Sequence, residues 1–139
     1  MAVFVFTDAK VQIAPTSGGT KVDLSSYVTS CTLTYEKDSI EITAMGNTGH
    51  LFTGGLVNLS VALELNNDQA ASSVLETLWA NVGTGTSELT ISNVTTVGTQ
   101  KFTIQNAYLA ASTPVNGAVG DLSKQSVTFT GGTITKGTV

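Results

Sequence analysis

A single all-β domain, a β-sandwich or bent barrel of about eight strands with one inserted α-helix, is the fold this sequence predicts, and three observations carry the prediction. Thr and Gly recur along the chain while proline is confined to Pro15 and Pro114, a bias that favours β-branched strands joined by glycine-permitted turns. Short stretches alternate apolar and polar residues with period two, and turn signals separate them at intervals of roughly 8–12 residues. Hydrophobic residues make up 41% of the 139 and charged residues only 12%, enough for one core and far from a disordered composition. One domain over residues 1–139 is expected, with no internal repeat.

The elements follow in order. Ala2–Phe6 is an apolar β-rich run and Lys10–Ala14 alternates, so the chain opens with a hairpin or a strand broken at Thr7-Asp8, close to a sheet edge. Pro15–Thr20, with Gly18-Gly19, is a turn or mobile loop. Tyr27, Thr29, Cys31, Leu33 and Tyr35 share one face of the clearest strand. A polar turn at Glu36-Lys37-Asp38 is expected to lead into a second strand through Met45, carrying Ile40, Ile42 and Ala44 on one face. Gly46–Gly55 is rich in turn formers and reads as a loop, yet it holds His50 beside Leu51-Phe52. Leu56–Leu65 alternates again, and Val57, Leu59, Val61, Leu63 and Leu65 form its buried face.

At Asn67-Asp68 the period changes. Asp68 is placed to cap a helix over about 69–81 whose stripe is Val74, Leu75, Leu78 and Trp79, with Trp79 in the core. Gly83–Thr86 ends it. Ser87–Asn93 and Lys101–Leu109 form a second hairpin across a polar link, Ala111–Ala118 is a loop, and Lys124–Thr130 closes the chain as a strand with Gln125, Val127 and Phe129 on one face.

The residue inventory argues against chemistry. The ten carboxylates are spread singly, so no pair shares an apolar setting as a general acid and base would. His50, the one side chain that ordinarily titrates near neutrality, has no strained nucleophile turn around any serine. Asp8, Asp23, Asp38, Asp68 and Asp121 lack calcium-loop spacing, and the glycine pairs lack both the Walker lysine and the Rossmann spacing. No catalytic residue, metal site or cofactor is expected. Cys31 stands alone and reads as a small buried hydrophobe. The formal net charge is -4, with six scattered lysines and no arginine, so specific nucleic-acid binding is not expected. Neither a signal peptide nor a bilayer-spanning segment is read in the chain, and the Asn58 and Asn93 sequons are discounted.

Three short motifs stand in a fixed order: Asp23-Leu24-Ser25-Ser26-Tyr27-Val28, then Met45-Gly46-Asn47-Thr48 followed by Gly54-Gly55-Leu56, then Gly117-Ala118-Val119-Gly120-Asp121-Leu122. With them, from about Val22 to Thr133, the chain resembles the tail tube, or major tail, proteins of tailed bacteriophages; Gly49-His50 stands where that family carries an arginine. The resemblance implies a virion structural protein that works by self-assembly, hexameric rings stacking into a tube through extended loops and added strands, in contact with other virion proteins and built in the host cytoplasm. The assembly contact is expected at Met45, Gly46, Asn47, Thr48, His50, Leu51 and Phe52. Low charge limits repulsion between subunits, and an acidic wall lets DNA slide without holding it. Two other readings are a capsid decoration (cement) protein, told apart by trimeric symmetry, and a carbohydrate-binding or host-surface β-sandwich, for which 6% aromatic residues is a poor supply.

Overall fold

A computed structural model describes residues 9–16, 18–69, 73–93 and 98–139. The elements in order are β1 (Lys10–Ala14), β2 (Val22–Asp23), β3 (Val28–Glu41), β4 (Phe52–Asn66), α1 (Val74–Asn81), β5 (Ser87–Ser92), β6 (Gln100–Leu109), β7 (Lys124–Thr130) and β8 (Thr133–Thr138). All pairings between them are antiparallel. The fold is the expected all-β one with a single short helix. The readings for Ala2–Phe6 and for the break at Thr7-Asp8 lie outside the described residues.

Strand β6 makes this one folded-over sheet rather than two separate ones. The order is β2-β1-β5-β6-β7-β4-β3, and β8 also pairs with β6. One edge of β6 runs along β5; the other holds β8 from Gln100 to Gln105 and β7 at Tyr108 and Leu109. Between those two partners Asn106 adopts φ 60, a left-handed conformation that Asn tolerates better than most residues, and the β5–β6 register slips nearby between Ser87 and Leu89. The sheet bends there and its two wings face each other.

Register then determines what lies inside. In one wing Ile13, Leu89, Ile104 and Ile134 form a cross-strand row, followed by Val11, Ile91, Phe102 and Lys136. In the other, Leu33, Val61 and Phe129 form a row beside Cys31, Leu63 and Val127. Leu63, Val127, Phe129, Leu89 and Ile104 are essentially sealed from solvent. Period two decides the opposite face as well: Thr32, Ala62 and Thr128 line up outside, as do Ser30, Glu64 and Ser126.

The helix is shorter than the 69–81 expected, running Val74–Asn81, with residues 70–72 outside the description. Its N-cap is Ser73, not Asp68; Asp68 acts one step back, its carboxylate accepting the Ser73 hydroxyl at 2.8 Å. Val74, Thr77, Leu78 and Asn81 form the buried stripe. Trp79 is not in the core, as the sequence led us to expect, but 71% exposed. It lies five residues beyond Val74, about 140° round the helix from it, so one stripe cannot bury both. The helix end is tied to β5 through Asn81, whose Nδ2 donates to the Thr77 carbonyl and whose Oδ1 accepts from Ser87 Oγ, both at 2.6 Å.

Two further corrections concern strands. Glu36-Lys37-Asp38 is no turn: β3 runs straight through it, and only a bulge between Lys37 and Ser39 marks the place. Strand β8, which the sequence reading did not anticipate, follows β7 through Gly131-Gly132. Gly132 has φ 93, and a Cβ there would fall on the carbonyl oxygen of Gln105, so the turn needs glycine.

Candidate assembly surface

The sequence motifs build opposite parts of the molecule. In the first, Leu24 is buried while Asp23 Oδ1 accepts from the Ser25 amide at 2.9 Å and from its hydroxyl. Ser25 Oγ in turn accepts the Val11 amide at 2.9 Å. This motif pins β2 to β1 and launches β3, a structural role. The third motif forms a turn closed by the Asp121 amide on the Ala118 carbonyl at 3.0 Å, with Val119 and Leu122 exposed.

The second motif sits at the tip of the hairpin made by β3 and β4. Strand β4 pairs with β7 only over Ser60–Asn66, and the Gly131 amide still reaches the Leu59 carbonyl; from Phe52 to Asn58 its only strand partner among the described residues is β3. A two-stranded ribbon therefore runs on past the point where the sheet ends. Its alternation continues, but no second layer covers it among the described residues: Tyr35, Ile40, Ile42, Leu51, Phe52, Leu56 and Val57 are all exposed. Val57, expected inside, is exposed although Leu59 two residues on is buried, because β4 has lost β7 as a partner by that point. An isolated two-stranded ribbon is marginal in water, and large apolar side chains exposed on one mark a contact site.

The expected contact residues cluster here. Met45, Gly46, Asn47 and Thr48 form the tip, where Gly46 takes φ 96 and the Asn47 amide reaches the Ala44 carbonyl at 3.2 Å. The connection is residues 42–51 rather than Gly46–Gly55, because Phe52–Gly55 belong to β4. The ends of the connection are tied by the Ile42 amide on the Leu51 carbonyl and the Leu51 amide on Thr43 Oγ1, both at 2.8 Å. His50 Nδ1 lies 2.7 Å from Glu41 Oε1, and its ring centroid is 6.5 Å from that of Phe52. Gly55 lies against Ile40 and Asp38, where a Cβ would come within 3.0 Å of Ile40 Cδ1. Asn58 donates to Asp38 at 2.6 Å, bracing the same stretch.

Sequence reasoning missed two features, since both are made by long-range pairing. Where the wings of the sheet fail to close, a cleft of about 520 Å³ opens between β3 and β8, lined by Cys31, Leu33, Tyr35, Phe102, Ile134 and Lys136, among others. Cys31 is half-buried on its wall, and burial pushes its thiol up to about 11, so it stays protonated at neutral pH. The outer edges of β3 and β8 pair with no strand among the described residues. In β3 that edge is fourteen residues long and contains no proline; Glu36-Lys37-Asp38 and the adjacent bulge protect its distal part, and Ser30–Tyr35 is left as a template for strand addition. A smaller apolar patch joins Trp79 and Val82 beside Ser112.

Among the described residues no group of three or more His, Cys, Asp or Glu is placed to hold a metal, and no helix is long and apolar enough to cross a membrane. No protein-family model and no curated sequence matches the chain. Solved structures do match in fold. A chain in the sheath/tube terminator of an extracellular contractile injection system, in its extended state, superposes with TM-score 0.68 at 16% identity, covering 99% of this chain and 98% of that one. A chain of the six-fold symmetrised baseplate of the anti-feeding prophage gives TM-score 0.65 at 12% identity over 98% and 96%. A chain in the tail of an empty gene transfer agent particle, refined with C6 symmetry, gives 0.63 at 12% identity over 92% and 94%. The tail-tube resemblance seen in the motifs is met at the level of fold: these neighbours are parts of phage-tail-like particles.

Proposed function

We propose that this chain is a virion structural protein, a tail-tube subunit that forms stacked hexameric rings around a DNA channel. The observation that carries the reading is the β3–β4 ribbon, which leaves the sheet with apolar residues exposed and no layer among the described residues to cover them. A surface of that kind needs a partner. The open edges of β3 and β8 are different surfaces of one molecule, and a contact between unlike surfaces repeats head to tail, closing into a ring when its rotation allows. The six-fold symmetry of two of the particles that contain its structural neighbours supports a ring of six.

A channel role accords with the outer face of β3, β4 and β7. That face carries rows of Ser and Thr with Glu36, Glu64 and the single Lys124 as their charges, a wall with too few cations to grip DNA. Other virion proteins would meet the ends of the tube, and the particle would be assembled in the host cytoplasm.

Negative-stain electron microscopy with light scattering on the purified protein at high concentration tests this reading. Hollow tubes or six-fold rings are the expected result; stable trimers or monomers that bind capsids would overturn it in favour of a cement protein. A variant in which residues 42–51 are replaced by an Asn-Gly turn closes the ribbon after the Glu41–Phe52 pair. It should fold as a monomer and form no tubes.

A further inference from the structure

The ribbon and the cleft match in apolar character and in charge. Within the ribbon Phe52 is 61% exposed and stands directly across from Glu41, so one face presents an aromatic ring beside a carboxylate whose Oε1 lies 2.7 Å from His50 Nδ1, leaving Oε2 to meet a cation. The cleft presents the converse, an apolar hollow of about 520 Å³ with Lys136 as its one charged lining residue. Lys136 is exposed and forms no ion pair among the described residues.

We propose that Phe52 of one copy seats in the cleft between β3 and β8 of the next, with Glu41 reaching Lys136 on the rim. This rests on the tube reading above and names the surface that receives the ribbon. A chain cannot fill its own cleft in this way. Tyr35 lines the cleft, and the ribbon runs on from Tyr35 along the same strand, away from the hollow. Cys31 pairs with Leu63 and Glu41 with Phe52, a separation of ten residues along β3, or about 33 Å at strand rise. A second copy meets no such restriction, and its arriving ribbon also finds the open edges of β3 and β8 flanking the hollow, where main-chain hydrogen bonds can be added. The apolar ring supplies affinity, and the Glu41–Lys136 pair selects the register and discriminates against wrong docking.

Charge reversal and cross-linking test the proposal in the full-length chain. Lys136→Glu places two carboxylates together and should raise the protein concentration needed for half-assembly by about tenfold or more. Adding Glu41→Lys to the same chain should restore assembly, since each copy then carries the pair in reverse. Circular dichroism confirms that both variants are folded. With Phe52 replaced by p-benzoylphenylalanine, irradiation of the assembled protein should give a ladder of covalent multimers whose cross-links map to the Cys31–Tyr35, Phe102 or Ile134 peptides. Rings or tubes whose cross-links map elsewhere, or a Lys136→Glu chain that assembles at the wild-type concentration, would overturn the docking and leave the tube reading standing. A wild-type chain that stays monomeric at high concentration would overturn both. Trimers cross-linked through the cleft would overturn the tube reading alone.

Discussion

The two halves of the β3–β4 hairpin share strands, pairing and alternation, yet one half is core and the other is surface. Between Cys31 and Leu33 on β3 and Leu59 and Leu65 on β4, the inward side chains meet β7 on one side and the opposite wing across the core. Seven residues further out on each strand, Ile40 and Phe52 meet water. Period two reports that a strand exists and has two faces; it carries no record of what lies against either face. Burial within the chain and burial against another copy leave the same trace in a sequence.

Substitutions in the two halves should therefore separate stability from assembly. Phe129→Ala, in the row with Val61 and Leu33, should lower the unfolding free energy by about 3–5 kcal/mol, seen in denaturant melts. An effect below about 1 kcal/mol would mean that the proximal half is as loosely covered as the distal one. Gly132→Ala should cost about 1–3 kcal/mol, because it combines a left-handed backbone with a side chain driven into the Gln105 carbonyl.

A buried ionic group extends the contrast to pH. Glu88 accepts the Gly18 amide at 2.5 Å and lies 3.3 Å from the Lys21 ammonium, and these contacts, the Gly18 hydrogen bond first, hold its carboxyl below the usual carboxylate range. The stabilisation is fully present above the unfolded carboxylate value of about 4.3 and is lost as pH falls through the lower folded value. Glu88→Gln should cost about 1–2 kcal/mol near neutrality and flatten the decline in stability of the monomer below about pH 4.3, measured by melts at stepped pH. Wild-type and variant curves that stay parallel down to pH 3 would show that Glu88 is not a source of acid sensitivity. The smallest stability effect belongs to the distal half: Phe52→Ser should move the monomer by less than about 0.5 kcal/mol, yet abolish rings in the microscope.

Legibility in the sequence followed how local each feature was. The alternating faces of Leu59–Leu65 and of Gln125, Val127 and Phe129 were readable because period two is written in neighbours. The exposed turn that holds Met45 to His50 was readable because its residues are contiguous and turn-rich. Glu36-Lys37-Asp38 misled because three polar residues in a row ordinarily mark a turn; here they mark a ribbon wet on both sides. Strand β8 was missed because Ile134 is the one apolar residue in Thr133–Thr138, and its place is decided by Ile104, some thirty residues earlier. The cleft was invisible because its walls come from β3, β5, β6 and β8, which only the bend at Asn106 brings together.

That long-range construction orders events in time. On a ribosome every residue of the ribbon, Phe52 among them, has emerged once β4 is made. The cleft lacks Ile134 and Lys136 until β8 appears about seventy residues later, a lag of several seconds at about 5–20 residues per second. Nascent chains crowded on one message thus expose a plug long before any of them offers a socket. Polymerisation by this contact waits for finished subunits, which leaves initiation to whatever already-folded surface presents a cleft first.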